Sequence, residues 1–450
     1  MEKVVEFLLN RFPSIRDRID VHMLEVINGA AVALVLKVLG AGLTFLFNLV
    51  LARTLGAEGA GLYFLALTVT TIATVFGRVG LDNTLLRFTA ANASVDDWSA
   101  VKGVYVKGMR LALLASSLSA IAVFVFAPIL ADKVFQKPEL VIPMRWMSLA
   151  VVPMTFVMLH AEALKGLKRI RDSFIVFGVG VPAISLTALL LFGGSYGVNG
   201  AVWAYASGAI LTALLGIILW RTATPQLRKV SGAFRTNDLL KSSIPLFWVA
   251  SLYMLINWTA TFALGVWGTQ EDVGIFSMAS RTAMLTSLIL TSVNSISAPK
   301  FAELYKKKDM VALGATARNT AKLMTLITSP LLLLFLVAPQ WVMGMFGEEF
   351  QKGGVLLSIL AIGQFVNVAT GSVGYVLMMS GNEKLMRNNV AFVASISIIL
   401  NIVFVQTIGV LGAVLATTIC LASQNIIAVY MVKNQLGIWT IPFAKINRTV

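Results

Sequence analysis

Four charged residues lie deep inside long apolar stretches of the sequence: Lys37, Arg78, Asp82 and Arg281. A charge at the centre of a bilayer costs about 2.5–3.5 kcal/mol on insertion scales, so each needs a partner or a water-filled cavity. Taken singly, each can also serve structure, by pairing between helices or snorkelling to the surface. Together, three cations and one carboxylate leave net positive charge. Such a cavity is expected to bind an anion, and pyrophosphate or a sugar acid fits it better than an organic cation.

The spacing of polar residues indicates which helix faces line this cavity. Thr44 and Asn48 follow Lys37 at distances that place all three within about 20° on one helical face. Arg78 and Asp82 are four residues apart, so they can neutralise each other along one helix. The predicted substrate-binding residues of this group are Lys37, Arg78, Arg281, Asn48 and Asp82.

Three uncharged polar residues, Asn257, Gln364 and Asn367, also fall within apolar stretches and complete the predicted substrate-binding set. They can contact sugars, or they can join helices through hydrogen bonds, and the sequence leaves both roles open. His160 is interpreted as structural, because a single histidine inside the membrane is a weak functional signal.

Helix-weakening residues mark three candidate hinges. Gly40 and Gly42 fall in the middle of the first apolar stretch, and Pro245 falls near the start of the seventh. No catalytic residue and no metal site is predicted. The single cysteine, Cys420, has no cysteine or histidine cluster around it, and no cofactor is expected.

The composition indicates a lipid environment. The 450 residues are 58% hydrophobic and 13% charged, with a mean hydropathy of +0.84, whereas a soluble domain carries about 25% charged residues. The net charge of +15 does not predict nucleic-acid binding, because lysine and arginine stand in short connectors between apolar stretches.

These stretches predict an all-α, polytopic membrane protein, because about 20 apolar residues in a helix cross the hydrocarbon core. Most lysine and arginine residues fall in one alternate set of connectors, so the positive-inside rule places both termini in the cytoplasm. The first 20 residues indicate a short amphipathic helix rather than a signal peptide. The twelve predicted spans are 28–52, 60–88, 106–130, 144–166, 174–193, 199–219, 240–267, 273–299, 314–337, 354–380, 389–407 and 412–432.

The chain divides into two similar halves. AEGAGLYFLA (57–66) aligns with QEDVGIFSMA (270–279) at an offset of 213, and GVNGAV (197–202) aligns with GVLGAV (409–414) at an offset of 212. Six spans per half give both halves the same orientation, so we predict parallel repeats around a central cavity. The predicted organisation is an N-terminal amphipathic segment (1–27), a six-helix lobe (28–219), a cytoplasmic linker (220–239), a second six-helix lobe (240–432) and a cytoplasmic tail (433–450).

Three classes of function are weighed, the first of which rests on the resemblance described below: a glycolipid flippase, a multidrug extruder, and a membrane-bound polysaccharide polymerase or ligase. The cationic interior disfavours the extruder. The enzyme is disfavoured because a polymerase or ligase would be expected to have a sizeable outer loop with acid–base or nucleophile residues, and the predicted outer loops are short. No Gly-rich phosphate loop ending in Lys-Ser/Thr is present, so ATP is not expected to drive transport directly.

Two segments carry a resemblance to a known family: 45–88, which begins FLFNLVLARTLG, and YVLMMSGNEKLM (375–386). They resemble the polysaccharide-transport flippases of the multidrug, oligosaccharidyl-lipid and polysaccharide exporter superfamily. The resemblance implies a non-enzymatic flippase that works by alternating access in the bacterial inner membrane. It would move oligosaccharide linked to undecaprenyl pyrophosphate, such as O-antigen repeat units, from the cytoplasmic to the periplasmic leaflet.

The same resemblance bears on the site and the partners. In related lipid II flippases, basic residues on the first, second and eighth helices line the cavity, and Lys37, Arg78 and Arg281 stand on the corresponding helices here. Lys37 departs from the arginine that those proteins favour, which weakens bidentate phosphate binding at this position. The implied partners are the lipid-linked glycan, membrane lipids, and the polysaccharide polymerase and chain-length machinery. Coupling to a proton or sodium gradient stays open.

Overall fold

The computed structural model describes residues 21–441, without the side chains of 21–31, 192–195, 295 and 296. Residues 1–20 of the predicted amphipathic segment and 442–450 of the predicted tail lie outside this range. All regular structure in the described range is helical, which confirms the all-α class. The helices are α1 (Val21–Arg78), α2 (Leu81–Ala93), α3 (Trp98–Ile129), α4 (Val141–Ser148), α5 (Val151–Gly166), α6 (Ile170–Phe174), α7 (Val181–Ala223), α8 (Thr236–Trp267), α9 (Gln270–Ala283), α10 (Ser287–Lys306), α11 (Met310–Val337), α12 (Pro339–Gly344), α13 (Gly354–Ala369), α14 (Val373–Met379) and α15 (Glu383–Leu436).

Three of these helices fold back on themselves at a glycine. The non-helical residues are Gly56 in α1, Gly197 in α7, and Ile408 and Gly409 in α15; the three glycines have positive φ. In α1 the rings of Phe47 and Tyr63 lie 6.1 Å apart, whereas sixteen residues of straight helix would separate them by about 24 Å. Each of the three helices is therefore a hairpin of two arms. We call the end of the molecule that holds Gly56 the Gly56 end; it is the predicted outer end.

Nine helices in the described part of the chain are long and apolar enough to cross a membrane, or ten when the bent pair Pro138–Ser148 and Val151–Gly166 is taken as one span. Two of these, Val32–Arg78 and Glu383–Leu436, are hairpins. Counting their arms separately adds two and gives twelve apolar segments at the predicted positions. A multi-pass membrane protein is thus confirmed, and the number of crossings stays a prediction.

Several predicted spans are interrupted rather than continuous. The second span (60–88) breaks at Val79 and Gly80, and the tenth (354–380) breaks around Gly371, with φ values of 49°, 70° and 76°. The predicted eighth span (273–299) is interrupted by a short 3₁₀ turn at Met284–Thr286. Glycine adopts positive φ without steric cost, which explains the breaks at Gly80 and Gly371.

The repeat is visible in local geometry. Asp97 and Asp309, 212 residues apart, each cap a helix by accepting a hydrogen bond from the backbone N–H three residues later, at 2.9 and 2.8 Å. Gly197 and Gly409, also 212 apart, have nearly identical dihedrals (φ 52°, ψ −135° and φ 60°, ψ −135°). Equivalent residues of the two halves therefore take equivalent conformations.

The halves meet through a reciprocal contact between helix starts. A Cβ added at Gly61 would lie 1.8 Å from the Gln270 carbonyl oxygen, and one added at Gly274 would lie 2.1 Å from that of Ala57. An offset of 213 converts each pair into the other. Such reciprocity is the signature of a two-fold relation, and the absent side chains let the two backbones touch. The largest core cluster surrounds this contact and draws on both halves.

The connection between the lobes packs on the first lobe. α7 ends at Ala223 and α8 begins at Thr236, so the connecting segment lies inside the predicted linker 220–239. Lys102 Nζ donates to the Leu227 and Val230 carbonyl oxygens, both at 2.8 Å. The start of the second lobe is thereby held against α3.

Candidate functional site

A cavity of about 180 Å³ lies among the helices of the first lobe. One residue of its wall, Arg281, comes from the second lobe, and the others come from the first. The wall is mainly apolar, with a few polar groups facing inward. Its residues are Thr44, Phe47, Asn48, Tyr63, Leu67, Met154, Met158, Phe177, Gly178, Val181, Pro182, Ser185, Tyr205 and Arg281.

Arg281 brings positive charge into this cavity. It lies in the last turn of α9, whose start is fixed by a capping box between Thr269 and Asp272. Its guanidinium carbon lies 4.6 Å from the centroid of the Phe64 ring. None of the ion pairs in the described residues involves Arg281. The cation is therefore held by an aromatic face without being neutralised, which favours an anionic ligand.

Two residues of the cavity wall carry a buried hydroxyl group without a hydrogen-bond partner among the described residues, Tyr63 Oη and Ser185 Oγ. A buried polar atom left unpaired costs about 1–3 kcal/mol, so it is an expensive feature to keep. Both groups can donate to a ligand oxygen beside Arg281. Neither residue is predicted as a site residue from the sequence. The internal repeat gives a weak signal for Tyr63, because the matched residue in the second half is a phenylalanine, Phe276.

The predicted polar stripe of α1 reaches the cavity in part. Thr44 and Asn48 both line it, and Asn48 is 6% exposed. The Thr44 hydroxyl donates to the Gly40 carbonyl oxygen at 2.8 Å. Lys37 lies two helical turns before Thr44, with its Nζ 5.6 Å from the centroid of the Phe174 ring, and it does not line the cavity. The structure thus brings Asn48 to Arg281 and leaves Lys37 further along the same helix.

Arg78 and Asp82 form the ion pair that their spacing predicts. Arg78 Nη1 lies 3.0 Å from Asp82 Oδ2, across the break at Gly80, and both side chains are 17% exposed. Neither residue lines the cavity around Arg281. The structure keeps this predicted pair together and places it apart from Arg281.

The three predicted amides lie outside this cavity. Gln364 Oε1 accepts hydrogen bonds from Ser287 Oγ at 3.1 Å and from Asn367 Nδ2 at 3.3 Å. This links α13 to α10, which is the joining role left open by the sequence. Asn257 is exposed and donates to the Tyr253 carbonyl oxygen of its own helix at 2.7 Å.

The candidate hinges differ in their surroundings. A Cβ at Gly40 would lie 2.3 Å from the Gly178 carbonyl oxygen, so Gly40 allows two helices to touch. Gly42 has no atom within 4 Å of such a Cβ. α1 is regular at both residues, and Pro245 lies inside α8. Their role as hinges stays a prediction.

His160 sits in a closed polar network away from the cavity. It is fully buried, with Nδ1 2.7 Å from the Phe156 carbonyl oxygen and Nε2 2.9 Å from Tyr105 Oη. The Tyr105 ring stacks on Trp220 with 4.4 Å between centroids. Both ring nitrogens are paired, which fits a structural histidine.

Two helical lobes joined by a two-fold contact, with a cationic cavity beside the junction, define a polytopic transporter fold. The profile of the family described as polysaccharide biosynthesis protein matches residues 26–305. The chain belongs to this family, and the resemblance noted from the sequence is confirmed.

Several known proteins are similar to this chain in sequence or in fold. The probable low-salt glycan biosynthesis flippase Agl15 of Haloferax volcanii is 20% identical over 406 residues, which are 89% of this chain and 82% of that protein. Among solved structures, an inward-facing multidrug resistance MATE family transporter of the MOP superfamily matches with a TM-score of 0.74, at 17% identity, over 91% of this chain and 98% of that one. The lipid II flippase MurJ in an inward closed conformation matches with a TM-score of 0.70, at 15% identity, over 89% and 87%.

Proposed function

We propose that this protein is a flippase for a lipid-linked oligosaccharide and that Arg281 binds the phosphate or pyrophosphate that joins carrier to sugar. The observation that carries the proposal concerns a largely apolar cavity. Within the described residues, its arginine has no carboxylate partner and its wall carries hydroxyl groups without a hydrogen-bond partner. Those groups donate hydrogen bonds, and a phosphate offers only acceptors. Family membership and the flippase named among the relatives support the same class of substrate.

More specifically, undecaprenyl pyrophosphate would be the lipid carrier, and an O-antigen repeat unit would be the sugar cargo. The protein would lie in the bacterial inner membrane with both termini in the cytoplasm and hand its cargo to the polymerase and chain-length machinery. The flippase makes and breaks no covalent bond and uses no cofactor. A proton or sodium gradient would supply the driving force.

A deletion strain tests the proposal. Without the protein, lipid-linked oligosaccharide should accumulate on the cytoplasmic leaflet, where mass spectrometry of extracted glycolipids identifies the sugars. Reintroducing the wild-type gene should remove the accumulated lipid-linked oligosaccharide. Arg281→Ala should not, because a lost charge-assisted hydrogen bond of about 1.5–3 kcal/mol weakens binding roughly ten- to a hundredfold.

Matched variants sharpen this test. Arg281→Lys should restore transport only in part, since lysine keeps the charge but lacks the planar fork that holds two phosphate oxygens. Lys307→Ala, at an exposed lysine far along the chain, should behave as wild type. Membrane levels must match in all strains. Full activity of a well-expressed Arg281→Ala variant would refute the assigned role, and drug sensitivity without glycolipid accumulation would favour the multidrug extruder.

A further inference from the structure

At the Gly56 end, several charged side chains reach from one lobe to the other. Arg53 Nε donates to the Met345 carbonyl oxygen at 2.9 Å, and two further charged side chains, Lys137 and Glu349, also cross between the lobes. Lys137 follows the first-lobe helix α3, and Glu349 lies between the second-lobe helices α12 and α13. Lys137 is 8% exposed although it lies in a connector, and Glu349 is exposed. Each side chain ends on the backbone of the opposite lobe.

Lys137 caps the end of α8. Its Nζ donates to the carbonyl oxygens of Gly265 at 2.8 Å and Gly268 at 2.9 Å, and to that of Phe135 in its own lobe at 3.1 Å. The last carbonyls of a helix lack partners within it and carry the negative end of its dipole. A lysine from the other lobe therefore supplies donors that α8 cannot provide. Burial lowers the pKa of Lys137, and the nearby carboxylates of Asp272 and Glu139 oppose that shift.

Glu349 makes the converse contact with α1. Its Oε2 accepts a hydrogen bond from the Ala57 backbone N–H at 2.7 Å. Ala57 begins the second arm of the α1 hairpin, where free N–H groups carry the positive end of the dipole. A Cβ at Gly56 would lie 3.1 Å from the same oxygen, so the glycine also gives the carboxylate room.

The two contacts occupy equivalent places in the repeat. Lys137 and Glu349 are 212 residues apart, the same offset that relates Asp97 to Asp309. We propose that Lys137 and Glu349 form a crossed latch that holds the lobes together at the Gly56 end and opens whenever the lobes separate there. This inference goes beyond the proposed function, since it does not depend on what the cavity binds.

Loss of the lysine should penalise the closed form alone. With methionine at this position, the Gly265 carbonyl oxygen stays buried and that of Gly268 partly buried without the Lys137 donor when the lobes are closed, but water can reach both when the lobes part. The loss of a charge-assisted hydrogen bond should therefore lower the ratio of closed to open molecules by about tenfold or more.

Pulsed electron–electron distance measurements on the full-length protein in lipid nanodiscs test the latch. Spin labels go on Lys133→Cys in the first lobe and Trp341→Cys in the second, both exposed at the Gly56 end, after Cys420→Ala removes the native thiol. Lys137→Met should raise the ratio of long to short distances about tenfold. Lys352→Met is the matched control, because Lys352 pairs with Glu271 inside the second lobe.

Glu349→Gln is the second arm of the experiment, since this side chain is exposed and its replacement spares the core. It should shift the distances in the same direction but less than Lys137→Met, because the amide oxygen still accepts the bond. Unchanged distances in folded Lys137→Met would overturn the latch, as would an equal shift in Lys352→Met. If Lys137→Met does not fold, Glu349→Gln decides: a shift supports the latch, and unchanged distances overturn it.

Discussion

Arg281 and Phe64 meet across the boundary between the two lobes, with the guanidinium carbon 4.6 Å from the ring centroid. A cation over an aromatic ring gains about 0.5–2 kcal/mol, and the gain is larger where water is excluded. The guanidinium carbon lies over the ring, and the five N–H donors of the guanidinium lie in the plane of that group. The contact thus positions Arg281 and leaves its donors available to a ligand.

The Tyr63 hydroxyl should take part in binding. Tyr63→Phe removes a buried, unpaired oxygen and keeps the ring, so we expect unchanged or slightly higher thermal stability. The dissociation constant of a probe such as farnesyl pyrophosphate should rise about three- to tenfold, as expected for one neutral hydrogen bond. Calorimetric titration of the purified protein measures this. Tyr305→Phe, far from the cavity, serves as control, and equal affinities in all three proteins would remove Tyr63 from the site.

Arg78 and Asp82 should stabilise each other rather than bind cargo. Arg78→Gln and Asp82→Asn each leave a partly buried charge unpaired, at a cost of about 1–3 kcal/mol. The double variant should regain much of this loss, and thermal melts of the four proteins give the coupling energy. We expect the double variant to retain transport. Lost transport in a double variant of restored stability would instead support the sequence-based assignment of Arg78 to substrate binding.

Gly274 should tolerate no side chain. Gly274→Ala places a methyl group 2.1 Å from the Ala57 carbonyl oxygen, which must push the lobes apart at a cost of about 1–3 kcal/mol or more. Gly42→Ala should be neutral or stabilise by up to about 1 kcal/mol, because nothing lies within 4 Å and alanine favours helix. Melting temperatures in detergent compare the two. A stable Gly42→Ala protein with slow transport would support a hinge at Gly42, and an unaffected Gly274→Ala would contradict the close contact.

His160 should contribute to the stability of the fold and not to the coupling of transport to an ion gradient. His160→Leu leaves the Tyr105 hydroxyl and the Phe156 carbonyl without this partner, so stability should fall by about 1–3 kcal/mol. The folded fraction should transport at the wild-type rate with the same pH profile. Proteoliposome assays between pH 5 and 8 measure this, and a shifted profile would make His160 a candidate for the coupling group.

Hydropathy and repeats predict this fold well because the membrane fixes helix length and the halves share a pattern. The interruptions at Val79 and Gly371 cannot be predicted in this way. The hydropathy of an apolar segment is the same whether or not one of its residues has non-helical dihedral angles. At both breaks the glycine also lies in a close tertiary contact, which hydropathy does not report. A Cβ at Gly80, for example, would lie 2.2 Å from the Ser243 carbonyl oxygen of the other lobe.

Site residues can be predicted from the sequence mainly where burying the side chain in the membrane costs free energy. The charge on Arg281 draws attention because the membrane penalises it, and the helical period correctly places Asn48 toward a cavity. Tyr63 and Ser185 give no such signal, because uncharged hydroxyl residues are common in membrane helices, and a serine hydroxyl there usually bonds to its own backbone. How far Lys37 and Arg78 lie from Arg281 depends on helix packing, which spacing along one helix does not encode.

The opposite charges of Lys137 and Glu349 bear on the history of the chain. A perfect fusion of two copies of either half would place the same residue at both positions, yet one position contacts carbonyl oxygens and the other an N–H group. Neither a charged lysine nor a charged glutamate could make both contacts, because carbonyl oxygens need a hydrogen-bond donor and an N–H group needs an acceptor. The gene duplication therefore yielded the present seam only after the copies diverged here, and two identical halves expressed together would not reproduce it.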